Sequence, residues 1–192
     1  MNGGMERPAL GRRLYSREEI ESAVRILALE IAAAYRGQPL VLLGVLKAAL
    51  YFTVDLSRAL AEIAGGPSEI FVDYLCVYSY EGSGSTGKVR LLLGQATPLD
   101  GRHVLIVEDI ADNGFTLAYL QTFLSERRPA SLRTCVLFDK PSRRRQGVSV
   151  DFVGLNVPNT FAVGYGLDYQ ERYRSLPYLA ELEIRESQRE LT

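Results

Sequence analysis

The chain has no tryptophan, only two cysteines, almost no net charge and no long apolar run. Each shortage excludes something. Without an indole there is no intrinsic tryptophan signal, so binding has to be followed by a ligand's own absorbance or by calorimetry. Cys76 and Cys135 both sit inside apolar runs, which makes them buried free thiols rather than a disulfide and fits a reducing cytoplasm. Lysine and arginine number 22 and aspartate and glutamate 23, a formal charge of −1 that argues against a general nucleic-acid binder. No apolar stretch approaches the roughly 18 residues needed to cross a bilayer, and no signal-peptide pattern precedes the first helical segment. Neither membrane attachment nor export is expected.

The rest of the composition is that of an ordinary soluble domain, 47% hydrophobic and 23% charged. A length of 192 residues predicts one domain, over residues 11–184, able to bury roughly two-thirds of its unfolded surface. Residues 1–10 read as a frayed, glycine-rich start with Met5 as an alternative initiator, and residues 185–192 as a polar tail.

Ser16 and Glu19 have the spacing of a capping box, and Ile20, Val24, Leu27 and Ile31 then line one helical face that stops at Gly37. Residues 40–46 are continuously apolar, a strand buried on both faces. Lys47 ends it, and a helix is predicted from Ala48 to about Ala64. Residues 69–80 and 89–93 read as a strand and its hairpin return, 104–107 and 132–138 as buried strands, and 177–184 as a last, edge strand. Strands alternating with amphipathic helices predict a twisted, mainly parallel α/β sheet covered on both faces, with a small hood made by the two chain ends. Lys47 and Lys140 both fall at carboxyl ends of such strands, the edge where α/β sheets bind ligands; the plainer reading is a solvated loop lysine. The stretch 81–88 holds three glycines and no apolar residue between two strands. That is longer than a turn needs, as in a lid, though an idle linker has the same composition.

The most informative stretch is 103–117. An apolar β-branched run meets the paired carboxylates Glu108 and Asp109, and Asp112-Asn113-Gly114 follows. Phe115 and Thr116 then open the helical pattern Leu117, Leu120, Phe123, Leu124. Backbone N–H groups of residues 113–116 thus gather at a helix N-terminus, a good seat for a phosphate. Three carboxylates beside such a cradle would repel a bare anion, but they suit a ribose held by its hydroxyls with a shared Mg²⁺. An acidic helix cap is the bland alternative. A second stretch, 151–169, runs Asp-Phe-Val-Gly-Leu, a short turn, then Phe161-Ala-Val-Gly-Tyr-Gly-Leu-Asp168-Tyr169.

Both stretches resemble signatures of the type I phosphoribosyltransferases, in the form carried by hypoxanthine-guanine phosphoribosyltransferases, and the resemblance covers roughly residues 10–184. It implies the type I fold and Mg²⁺-dependent transfer of phosphoribosyl from 5-phosphoribosyl 1-diphosphate to a 6-oxopurine, hypoxanthine or guanine, giving IMP or GMP. It implies donor binding by Lys47, Ala48, Glu108, Asp109, Asp112, Asn113, Gly114, Phe115, Thr116 and Arg174. Purine binding falls to Lys140, Phe161, Ala162 and Asp168, metal binding to Glu108, Asp109 and Asp168, and proton transfer to Asp112. Ser79-Tyr80 matches the family's mobile lid over residues 80–88, and the family forms homodimers or homotetramers. Three positions depart from the pattern: Ala48 stands where the family has Gly, Asn113 where it has Thr, and Ala162 where it has Val, the last at a main-chain contact. Alone, Phe161 would read as core, Arg174 as a surface arginine, and Arg143-Arg144-Arg145 as a solvated turn with no role.

Rival readings keep the fold and change the ligand. The acceptor base could be xanthine, a pyrimidine or adenine; Lys140 argues against adenine, because an ammonium offers no acceptor to a 6-amino group. An RNA-binding regulator on the same fold would want a basic face, which the charge balance lacks. A degenerate ligand sensor has only Ala48 and Asn113 in its favour. The lid reading makes a direct prediction. Deleting three residues from 82–87 should leave the fold intact, lower kcat and raise hydrolysis of the phosphoribosyl donor, because water then reaches the sugar. Unchanged turnover and hydrolysis would make the segment a linker.

Overall fold

The computed structural model describes residues 8–79 and 89–183. The expected lid, 80–88 with Tyr80 and the side chain of Ser79, lies outside the described residues, as do residues 1–7 and 184–192.

The continuous apolar runs form the middle of a six-stranded sheet. In chain order its strands are β2 (Pro39–Leu46), β3 (Glu69–Ser79), β4 (Val89–Leu93), β5 (His103–Ala111), β6 (Ser131–Asp139) and β7 (Phe152–Asn156). Their spatial order is β4-β3-β2-β5-β6-β7, parallel throughout except for β4, which returns antiparallel along β3. Side chains alternate across it. Leu42, Leu105 and Leu137 pack with Leu27 and Ile31 of α1 (Arg17–Ala34) and Leu56 of α2 (Leu50–Ala61). Val41, Leu43, Val104, Ile106 and Val136 face Leu117, Leu120 and Leu124 of α3 (Phe115–Ser125). The capping box at α1 is formed: Glu19 N donates to Ser16 Oγ at 3.3 Å, and Ser16 N to Glu19 Oε2 at 2.7 Å.

From β2 the chain first builds outward through β3 and β4, then returns to the other side of β2 as β5. Connections therefore leave β2 and β5 in opposite directions, which opens a crevice at their carboxyl ends. Lys47 and the 112–114 loop both lie there.

A second, three-stranded sheet, β1 (Ala9–Tyr15), β9 (Leu179–Glu183) and β8 (Ala162–Val163), closes over that edge as the hood. The two sheets together correct three expectations. Residues 9 and 10 belong to β1, paired as Ala9 with Glu183 and Leu10 with Leu182, rather than to a frayed start. The last strand is central to its sheet, not an edge, because β1 and β8 take its two sides. And β5 runs on to Ala111, so Glu108 and Asp109 lie inside the ladder, where Glu108 pairs with Val136 of β6.

The hood is fixed to the crevice by a close backbone contact. Gly164 and Gly166 have φ of +105° and +102°, and a Cβ on Gly166 would overlap the carbonyl oxygen of Ala48. Gly166 N also donates to Arg174 O at 2.9 Å, and Tyr165 Oη to Asp55 Oδ2 at 2.6 Å. Gly166→Ala should therefore destabilise the fold by about 1–3 kcal/mol, the scale of overpacking, in chemical denaturation. Gly147→Ala, with nothing within 4 Å of its Cβ, should stay within about 0.5 kcal/mol of the parent, as surface changes do.

Candidate active site

Beneath the hood lies a cleft of about 720 Å³, lined by Ala48, Asp109, Asp112, Lys140, Arg143, Phe161, Ala162 and Asp168 among others. One wall is the β5–α3 loop. Gly114 takes φ +88° as N-cap of α3, with no side-chain cap and no acidic residue in the first helical turn. The positive end of the helix is thus free of a competing carboxylate. Asn113 Oδ1 accepts from Phe115 N at 3.0 Å, and its carbonyl accepts from Arg145 N and Gln146 N at 2.9 and 3.1 Å. The asparagine therefore shapes the loop through its side-chain acceptor.

Glu108 and Asp109 are 8% and 4% exposed. Burial pushes both carboxyls above their ordinary range; for Glu108 the neighbouring Asp109 charge adds to it, and for Asp109 the charge of Arg174 opposes it. Both shifts point towards the neutral acid, and the push on Glu108 is the greater. Only Asp109 lines the cleft, and Glu108 Oε2 is buried without a hydrogen-bond partner among the described residues.

Across from them Lys140, 5% exposed, donates to Thr160 O at 2.8 Å and lies 3.5 Å from Asp112 Oδ2. Burial lowers its pKa and the Asp112 charge restores part of it. Asp112 Oδ1 accepts from Arg143 Nε at 2.7 Å, so this carboxylate sits between two cations. The arginine run dismissed as a solvated turn is part of the site: Arg143 lines the cleft, and Arg144 pairs with Asp139 at the end of β6. The available signal was position. Pro141 ends β6 directly after Lys140, so the short 3-10 turn Pro141–Arg143 has to fold on the same edge as the lysine.

The remaining residues come from the hood. Phe161 is 40% exposed, its ring held edge-on by Tyr169 at 5.7 Å and 85°. That places an apolar face in the cleft rather than in the core. Ala162 beside it is buried in β8. Asp168 Oδ1 pairs with Arg174 Nη2 at 2.8 Å, and Arg174 Nη1 donates to Gly166 O at 2.9 Å. Lys47, after a cis Leu46–Lys47 peptide, reaches the same group by pairing with Glu171 at 3.0 Å. Among the described residues no three metal-binding side chains close on one point, the trio Glu108, Asp109 and Asp168 included. Asp109 and Asp168 still place hard oxygen donors on the cleft wall, which fits a Mg²⁺ that takes one or two carboxylates and draws its other ligands from phosphate and water.

A parallel sheet with a hood, an anion-receptive loop after β5 and acidic residues on the cleft wall define a phosphoribosyl transferase domain. The family model of that description matches residues 12–170, and the chain belongs to this family. The similarity narrows further. The chain is 44% identical over 176 residues to the hypoxanthine-guanine phosphoribosyltransferase of Crithidia fasciculata, across 88% of this chain and 83% of that protein. The hypoxanthine phosphoribosyltransferase of Trypanosoma cruzi, solved in complex with the product IMP, superposes with a TM-score of 0.83 at 43% identity, covering 93% of this chain and 96% of that one. A second structure from that organism, solved to study how its C-terminal region affects oligomeric state and activity, gives 0.84 at 44% identity over 90% and 91%.

The buried acidic pair fixes a pH dependence. A carboxyl whose pKa is raised on folding takes up protons that the unfolded chain releases. Stability then falls as pH climbs from the ordinary value of about 4.3 through the raised folded value. Glu108→Gln keeps the shape, removes the titration and can donate to Asp109. In the ligand-free protein without divalent ions, its Tm should exceed the parent's at pH 7–8, and the gap should close towards pH 4. Parallel Tm curves would show that Glu108 is not the group losing stability.

Proposed function

We propose that this chain catalyses purine salvage, the Mg²⁺-dependent transfer of phosphoribosyl from 5-phosphoribosyl 1-diphosphate to hypoxanthine or guanine, giving IMP or GMP and diphosphate. The observation that carries the reading is the buried Lys140 ammonium, anchored on Thr160 and set beside Asp112 in the cleft that Phe161 also lines. Lys140 presents only donors, so it selects a base with an acceptor at position 6. Phe161 supplies a stacking face, and the Ala162 main chain, next to it in β8, would read the edge of the stacked base.

Directly after Asp112, the amides of 113–116 with Thr116 receive the donor's 5-phosphate at the positive end of α3. Asp109, supported by Glu108, takes the ribose hydroxyls. Lys47, Ala48 and Arg174 take the diphosphate. Asp109 and Asp168 would hold Mg²⁺ together with substrate oxygens; when bound, the metal offsets the charge of the departing diphosphate. As the anomeric bond breaks, the sugar develops oxocarbenium character, and Asp112 accepts the proton that the purine gives up. Its cationic partners Arg143 and Lys140 hold the carboxylate in that position. The reading includes a single catalytic domain that begins with β1, a cytoplasmic location and a homodimer or homotetramer. The deciding measurement is diphosphate release with hypoxanthine, guanine, xanthine and adenine in turn, each with the donor and Mg²⁺. No release with any 6-oxopurine would end the proposal.

Asp112→Asn should lower kcat about 10²–10⁴-fold, the scale of general acid–base catalysis, with donor affinity nearly unchanged by calorimetry. Activity within a few-fold of the parent would remove Asp112 from proton transfer. Adenine should show no measurable turnover, since a buried donor facing an amino group costs about 10⁴–10⁵-fold in specificity. Lys140→Gln, whose amide can turn its oxygen to an amino group, should lose most 6-oxopurine activity and gain a trace with adenine. Parent turnover of adenine matching that of hypoxanthine would refute the role of Lys140.

A further inference from the structure

Residues 169–172 form a two-residue hairpin: Tyr169 and Arg172 exchange backbone hydrogen bonds of 3.2 and 3.0 Å, in both directions. Its two central residues, Gln170 and Glu171, have φ of 52° and 63°. Positive φ at both central positions defines the turn type that Asn-Gly ordinarily fills. A glutamate held there is strained by the clash of its Cβ, a cost that glycine would avoid. What the position presents is a carboxylate. Glu171 Oε1 pairs with Lys47 Nζ at 3.0 Å and Oε2 with Arg174 Nη2 at 3.3 Å, while its N–H donates to Asp168 Oδ2 at 2.8 Å. One carboxylate thus bridges the two cations that the proposed function gives to the departing diphosphate.

We infer that Glu171 is an internal competitor for the diphosphate subsite: its carboxylate occupies Lys47 and Arg174 in the free protein and has to be displaced when the donor binds. The inference rests on the diphosphate role proposed for those two cations. Three observations support displacement rather than permanent anchoring. Glu171 and Lys47 are both 63% exposed in their side chains, so the pair is solvated and breaks at low cost. Arg174 keeps a second, closer partner in Asp168, so losing Glu171 leaves it positioned. And a carboxylate bridging two cations copies the charge and spacing of one phosphoryl group. The Lys47 hydrogen bond and the Arg174 charge hold the Glu171 carboxyl below its ordinary range, so the competitor is ionised at neutral pH. Its function is to weaken the hold on diphosphate, which as product has to leave the same two cations.

The test is a calorimetric titration of the full chain with inorganic diphosphate and Mg²⁺, alongside steady-state kinetics. Glu171→Gln keeps size and removes charge. It should tighten diphosphate about two- to tenfold, as expected for release of exposed ion pairs, and lower the donor KM by a similar factor with the purine KM unchanged. Glu171→Gly should tighten diphosphate equally and raise Tm, since glycine relaxes the turn. With Lys47→Gln as background, the gain from Glu171→Gln should shrink, because one of the two freed cations is already gone. Unchanged or weaker diphosphate binding in Glu171→Gln, with nucleotide formation intact, would overturn the competitor role alone. If parent and variant both bind no diphosphate, Lys47 and Arg174 leave the donor subsite, and the inference falls with that assignment.

Discussion

The site depends on the parallel pairing of β2 with β5, registered from Leu40 opposite His103 to Gly44 opposite Val107. That pairing sets the carboxyl ends of two strands side by side while their connections diverge, which is what leaves a crevice. Both strands have their side chains buried on either face along most of their length, so a register slip would bring the wrong row of side chains against each helix layer. Gly44 lets α2 and β3 come close: a Cβ there would lie 2.6 Å from Thr53 Oγ1 and 2.7 Å from the Tyr74 ring. Lys47 and the 112–114 loop inherit their positions from this core.

Charge within the cleft is arranged in cation–anion sets, not in patches. Asp112 lies between Lys140 and Arg143, Asp168 against Arg174, and Glu171 between Lys47 and Arg174. Such sets keep anions and cations near neutrality while the cleft is free of substrate, and each places a group of one sign where a charged ligand can exchange for its partner. The buried pair Glu108 and Asp109 is the exception, with two carboxyl groups adjacent in one strand. Desolvation raises both pKa values, so the pair costs stability in the free protein. Costs of this kind concentrate where a site needs its groups preorganised.

Much of this was legible from residues alone, for reasons of periodicity. The capping box, the buried runs of β2, β5 and β6 and the glycine-asparagine turn before α3 are local patterns whose physics is complete within about ten residues. The donor-only chemistry of Lys140 was likewise readable from its side chain and its place before Pro141. Arg143 was not, because an arginine run has the same composition whether it is solvated or faces a carboxylate. Its contact with Asp112 spans 31 positions of sequence.

The sequence by itself determined the layered α/β order, the acidic loop after β5 and the family resemblance, since each follows from contiguous residues. Only the tertiary structure decided how the chain ends combine. The N-terminal residues Ala9 and Leu10 gain strand geometry from hydrogen bonds to Glu183 and Leu182, partners more than 170 positions away. β8 is two residues long, too short to show any period, and exists because β9 lies beside it. The positive φ of Gln170 and Glu171, which brings one carboxylate between Lys47 and Arg174, has no residue signature at all. Backbone strain of that kind persists only where surrounding contacts hold it, and a linear pattern carries no term for it.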